Sequence, residues 1–356
     1  MKNILRILSV AGLGLVAGPL AAQDAGSYKV LATTQLMGNG GIDYVYADND
    51  GRRVYVPRGP QTQVFDLDGH QYIGAITNIS GHGVAIDTAT HHGFSSSPQI
   101  GMFDTETMQK LKSITVTGRP DGILLEPFTD RVYIFSHESP SITAIDPKDG
   151  TVTGTLDVGG AMEQAQCDGQ GKLYVDVEDQ KKIAVVDVKT FKVITEYDLG
   201  DTAGEPGGLG LDAKNHILFA MCVDPNVCVV VNADTGKVLK TLPIGAGTDG
   251  GGFDPNTMEA FSSQRDGTLT IIKENSPTDF VVEQTVTTKA GCKTCSLDTK
   301  NNVIVTVCTE RRPAAAAAGA TPAATPAPNA APGGQGQRRG GGRGGPGNLD
   351  VLFVGH

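Results

Sequence analysis

The stretch Arg131-Val132-Tyr133-Ile134 follows a turn, opens on a charged residue and continues apolar, aromatic, apolar. The same order returns at Arg53-Val54-Tyr55-Val56 and Lys172-Leu173-Tyr174-Val175. Looser copies stand at His92-Gly93-Phe94-Ser95, Ile217-Leu218-Phe219-Ala220, Glu259-Ala260-Phe261-Ser262 and Asn302-Val303-Ile304-Val305. The third members fall at 55, 94, 133, 174, 219, 261 and 304, so the spacing runs 39, 39, 41, 45, 42 and 43 residues. Only strand signals lie between them. A unit of that length, built of strands and repeated seven times, buries its apolar faces by stacking on its neighbours, which is the signature of a propeller or a similar array.

Each unit carries two further marks. Six or seven residues before the aromatic position stands an acid: Asp48, Asp87, Glu126, Asp168, Asp212, Asp254 and Asp298. About ten residues after it a strand ends in a polar residue, as in Phe65-Asp66, Phe103-Asp104, Ile145-Asp146, Val186-Asp187 and Val231-Asn232. Such side chains accept hydrogen bonds from backbone amides just downstream, so these acids are read as turn formers. The marks divide each unit into strands A, B, C and D. The seventh unit is one strand short, with A near Thr294–Leu297, B at Val303–Cys308, C at Leu349–Val354 and the sequence ending at His356. Tyr28-Lys29-Val30-Leu31-Ala32-Thr33 supplies the missing D strand, which closes the ring and removes its exposed edges. The expected fold is all-β: a seven-bladed β-propeller of four-stranded antiparallel blades, closed by the N-terminal strand joining the last blade.

Composition agrees. The 356 residues include 47 Gly and 19 Pro, as many turns between short strands require, while aromatics are 5% and Trp is absent. With 29 basic against 39 acidic residues the formal charge is −10, which disfavours a nucleic-acid partner. Met1-Lys2-Asn3-Ile4-Leu5-Arg6 and the apolar run from Ile7 to Ala22 read as a secretory signal peptide over 1–22. No Cys precedes Cys167 to carry a lipid, and Gly and Pro interrupt the run, which argues against a membrane helix. The expectation is a single domain over 23–356, exported to the periplasm or medium, monomeric and not inserted in a membrane. Residues 313–348 are Ala-, then Pro-, then Gly- and Arg-rich, and are expected to form a disordered loop inside the last blade. Its Arg338, Arg339 and Arg343, with Arg311 and Arg312 at the root, suggest a basic flap over the acidic face.

Through Arg53-Val54-Tyr55-Val56, Arg131-Val132-Tyr133-Ile134 and turns such as Asn232-Ala233-Asp234-Thr235-Gly236-Lys237, the chain resembles the YVTN-repeat, YncE-like family of seven-bladed propellers. The resemblance covers essentially all of the chain after the signal and implies a fold and an exported location rather than a reaction. The lack of Trp separates it from WD-type propellers and from quinoprotein dehydrogenases, whose similar turns lead to a docking Trp.

In such a blade the start of A, the end of B and the start of C share one face, and the A strands line the axis. The residues heading the A strands are Asp43, His82, Asp121, Glu163, Glu205 and Asp249, with Lys293 in blade seven. Five carboxylates and one His therefore ring the mouth of the channel as a candidate ligand-binding funnel. Neighbouring glycines would let a ligand approach the backbone. Oxygen ligands with one imidazole suit Ca²⁺, Mg²⁺ or a similar metal, since crowded carboxylates invite a cation. The other reading is a solvated acidic vestibule whose acids bond backbone amides. His137-Glu138, on a B–C loop, can join the funnel, whereas His70, His91, His92 and His216 read as surface residues.

Six cysteines in an oxidising compartment suggest disulfides. Cys222 and Cys228 flank Pro225 in one hairpin and form one candidate pair. Cys292 and Cys308 form the second, with Leu297 pairing near Val303. Cys167 and Cys295 read as core thiols. Cys292-Lys293-Thr294-Cys295 has no following His, which excludes haem attachment, while Cys292, Cys295 and Cys308 together could hold copper or zinc. The reading is a ligand-binding or protein-interaction module with an acidic funnel, more a binder than an enzyme. Two alternatives stay open. One is a lactonase-like, metal-dependent hydrolase using the funnel carboxylates, by likeness of architecture to gluconolactonase and paraoxonase propellers. The other is a thiolate metal or redox protein.

Overall fold

The structure is a computed structural model that describes residues 27–311 and 347–356. The expected signal peptide and most of the expected loop lie outside the described residues. The described chain forms seven four-stranded antiparallel sheets, each ordered A-B-C-D. Among the described residues the one helical element is a single 3₁₀ turn at Glu178–Gln180, and no helix is long and apolar enough to cross a membrane.

The seven acids that mark the units do form turns. The side chains of Asp48, Asp87, Glu126, Asp168, Asp212, Asp254 and Asp298 accept from the amides of Gly51, Ala89, Phe128, Gln170, Lys214, Asn256 and Lys300, at 2.7–3.1 Å. Each A–B turn then ends in a left-handed residue, as at Arg52, His91, Asp130 and His216, where φ is between +53° and +59°. The B and C strands are buried on both faces, so the core is divided into layers between blades. One layer joins Tyr174, Ile183 and Val185 of blade four to Leu209, Leu218, Ala220 and Cys222 of blade five.

Blade seven closes the ring as the sequence implies, with some boundaries moved. Its strands are A (Thr294–Asp298), B (Val303–Arg311), C (Gly347–Gly355) and D (Lys29–Gly38). The closing D strand has 10 residues, longer than the expected six-residue segment, and runs from Lys29 opposite Gly355 to Gly38 opposite Gly347. Arg311 pairs with Gly347, so Gly347 and Asn348 belong to strand C and not to the 313–348 loop. The buried Arg58 of blade one stitches the seam, donating to the carbonyls of Leu36 at 2.9 Å and of Gly38 and Gly347 at 3.0 Å.

Glycine is needed where the A strands of blades five and six converge. A Cβ on Gly208 would lie 2.6 Å from the Gly250 carbonyl carbon, and one on Gly210 would lie 2.7 Å from the Gly252 oxygen. At Gly122 it would lie 2.4 Å from the Glu163 carbonyl. These glycines admit the neighbouring blade's backbone.

Candidate functional site

The head of strand A carries the mouth residues, and in several blades a β-bulge aims them. In blade three the ladder runs Pro120 opposite Ser136, then Ile123 opposite Ile134, leaving Asp121 and Gly122 unpaired. Blade four skips Glu163 and Gln164 in the same way, and blade six skips Asp249 and Gly250. A bulge turns its extra residue off the regular alternation, here toward the axis.

Blade five is where the sequence reading slips. Pro206 pairs with Cys222, so the position equivalent to Asp121, Glu163 and Asp249 is Gly207, next to Asp249. Glu205 lies two residues before Gly207, outside the mouth, and is exposed. The funnel therefore has four carboxylates from the A-strand heads, not five.

These four are divided between two arcs. On one, Asp249 accepts from Arg265 at 2.8 Å and from Lys293, and Lys293 reaches on to Asp43 Oδ1 at 2.5 Å. On the other, His82 Nδ1 lies 2.6 Å from Asp43 Oδ2 and 3.6 Å from Asp121 Oδ1. His137, from the blade-three B–C loop, brings Nε2 within 3.2 Å of Asp121 Oδ2 and 2.9 Å of Glu163 Oε1. That nitrogen is buried, and the two carboxylates are what it faces. Its Nδ1 faces the Arg119 guanidinium.

Tyr44 of blade one reaches across to donate to Glu163 Oε2 of blade four at 2.7 Å. Beside it, Gln164 donates to the Gly251 carbonyl at 2.9 Å and accepts from the amides of Leu209 and Gly251 at 3.0 Å. Neither residue stands out in the sequence, because a contact made across the axis leaves no local pattern. Asp176, buried at the end of the blade-four B strand, is also missed, and neither of its oxygens has a hydrogen-bond partner.

The electrostatics follow the geometry. Burial above all, then the Glu163 and Asp43 carboxylates, push Asp121 up to about 7. Burial would raise Asp43 too, but His82 and Lys293 outweigh it and hold it at about 2. The bond to Asp43 raises His82. Burial opposes a charge on His137, and Glu163 and Asp121 overcome it. The phenol of Tyr44 is raised well above its usual range by burial and by Glu163, Asp121, Asp43 and Asp249 around it. Burial, with Glu163 nearby, also raises Asp176 well above the carboxylate range.

Among the described residues, two groups of three bring potential metal-ligating atoms within 4.8 Å of one another: Asp43, His82 and Asp121, and Asp121, His137 and Glu163. The expected thiolate site of Cys292, Cys295 and Cys308 is not one of them. Cys292 and Cys308 share a buried cluster with Leu352, whereas Cys295 packs with Phe261 and Leu269 between blades six and seven.

All six cysteines are free thiols in the structure. Cys222 and Cys228 are not brought together, because the hairpin register sets Met221 opposite Cys228 and Cys222 opposite Val227. That one-residue offset sends the two sulfurs to opposite faces of the sheet. Cys292 and Cys308 do meet. The ladder itself is offset, with Leu297 opposite Ile304, but Cys292 precedes strand A and is free of it. The Cys308 thiol hydrogen-bonds to Cys292 and lowers its pKa. Cys167 is half-buried and Cys295 buried, and burial pushes both up to about 12.

No protein-family model matches the chain, and no curated protein matches it. Among solved structures it is similar to a chain of one described as the crystal structure of the mitotic checkpoint complex. The TM-score is 0.66 at 13% identity, covering 85% of this chain and 95% of that one. At that identity the likeness supports the propeller fold alone.

Proposed function

We propose that this chain is an exported propeller of the YVTN-repeat, YncE-like kind. It acts as a binding module whose seat is the His/carboxylate arc of the mouth, and the seat takes a divalent cation. One observation carries this reading. Two imidazoles and three carboxylates, drawn from blades one to four, converge on one side of the mouth. In a merely solvated acidic vestibule the acids would bond backbone amides or water, yet Asp121 and Glu163 face imidazoles and a phenol. A cation at this arc relieves the repulsion that burial imposes on the acids. It also offers open coordination positions to a small ligand or to a side chain of a protein partner.

The test is calorimetric titration of the protein with Zn²⁺, Mn²⁺ and Ca²⁺, beside a His82→Ala, His137→Ala double variant. Saturable binding that the double variant loses is expected. Binding of equal strength in both proteins, or none in either, overturns the reading. Export rests on the Met1–Ala22 pattern, and in an oxidising compartment Cys292 and Cys308 would join. Thiol titration of the exported protein is then expected to find four free thiols of the six. Six free thiols would remove the disulfide.

A further inference from the structure

Asp121 is placed between the two imidazoles in an unusual way. Its Oδ1 faces His82 Nδ1 at 3.6 Å, and its Oδ2 faces His137 Nε2 at 3.2 Å. The carboxylate thus presents one oxygen to each of two ligand sets that share no other residue. We propose that the mouth is a dinuclear centre in which Asp121 bridges two divalent cations, one held with Asp43 and His82, the other with His137 and Glu163. This rests on the cation-binding reading above and adds the number of ions and their arrangement.

Distance decides between one ion and two. An ion bound at about 2.0–2.2 Å keeps its ligand atoms within about 4.4 Å of one another, twice the bond length. Each set of three meets a span of 4.8 Å, but the five residues do not form a single group on that criterion. One ion can therefore use one set and must leave the other imidazole unligated. Two ions use all five residues with small adjustments, and a bridging carboxylate holds such a pair about 3.5–4 Å apart.

The donor set also selects the metal. One imidazole and two carboxylates per ion suit Zn²⁺, Mn²⁺, Fe²⁺ or Co²⁺ better than Ca²⁺, which prefers oxygen alone. The surroundings are those of ligands already oriented. Tyr44 fixes the free oxygen of Glu163, and Lys293 fixes that of Asp43, at 2.7 and 2.5 Å. Partners in that outer position set ligand orientation. The buried Nε2 of His137 is directed between Asp121 and Glu163, where the second ion would sit.

Two contacts must give way: the 2.6 Å hydrogen bond between His82 Nδ1 and Asp43, whose proton the first ion would replace, and the approach of Arg119 to His137. A neutral imidazole that ligates through Nε2 carries its proton on Nδ1, which cannot face a guanidinium donor. Arg119 is exposed, so it can swing away, and its removal should favour the second ion.

The experiment uses the full protein, stripped of metal and loaded with Mn²⁺, reading bound ions per chain and the electron paramagnetic resonance spectrum. Two ions per chain with an exchange-coupled spectrum are expected. Glu163→Gln and Asp43→Asn should each leave one ion with an uncoupled spectrum, and the ion retained in each serves as the control for folding. Asp121→Asn should abolish the coupling. Tyr44→Phe should weaken the second ion about tenfold, and Arg119→Met should tighten it. One ion per chain in the unaltered protein overturns the bridge but leaves the cation-binding reading standing. No bound ion overturns both. Two ions retained in Glu163→Gln would show that the second site is elsewhere and overturn the proposal.

Discussion

At the scale of single residues, this protein keeps carboxyl groups in places where their charge is costly. Away from the mouth, Glu274 of blade six is buried, accepts from Asn215 at 2.9 Å and leaves its second oxygen without a partner. Burial first, and the neighbouring Asp212, raise it from 4.5 to about 7. A raised carboxyl pKa means that the folded chain holds a proton the unfolded chain has released. Stability from this group is therefore complete below the unfolded value and is lost as pH rises through the folded one. Glu274→Gln keeps the hydrogen bond to Asn215 without the charge. It should gain about 1–2 kcal/mol over the unaltered protein at pH 8, allowing for solvent screening, and little at pH 4. Urea denaturation at the two pH values checks this, and a gain of equal size at both would exclude titration as its cause.

At the scale of elements, the bulges and hairpins govern which residues meet. The ring of mouth residues was legible because each A strand follows a turn of recognisable chemistry, so Asp43, His82, Asp121, Glu163 and Asp249 could be located by counting. The count failed where it depended on a single residue of register. Glu205 gave way to Gly207 because Glu205 is already paired, opposite Val223, and the ladder of blade five skips Gly207 instead, and Cys222 missed Cys228 because the hairpin is centred half a residue from Pro225. Loop geometry sets such offsets, and nothing in residue type announces them. Tyr44, Gln164 and Asp176 escaped for another reason. Their importance comes from reaching across the axis or from burial without a partner, and both are tertiary facts. The glycines of the A strands make a sharper test at this scale. Gly208 has no left-handed backbone requirement, so Gly208→Ala isolates the close approach of blades five and six. Overpacking of that kind should cost about 1–3 kcal/mol in thermal or chemical unfolding. An unchanged midpoint would mean that the two strands separate freely.

At the scale of the whole molecule, stability depends on one seam. Six blades are built from consecutive strands, and the seventh takes its outer strand from residues 29–38. Arg58 holds three carbonyls of that seam from the adjacent blade. Arg58→Met leaves those carbonyls without their donor and should lower stability by about 2–4 kcal/mol, with proteolytic cutting in residues 29–38 ahead of the rest. Cutting spread evenly over the blades would show that the seam is no weaker than the other interfaces. The seam also has a consequence in time. Residues 29–38 are synthesised before any of the blades, and their partner strand, 347–355, comes after all the other described strands. The longest loop in the chain must close before that pair can form, so the six ordinary blades are free to assemble while the ring is still open. A chain caught between synthesis and closure presents an unsatisfied strand edge at each end, and this is the stage at which it would need a chaperone.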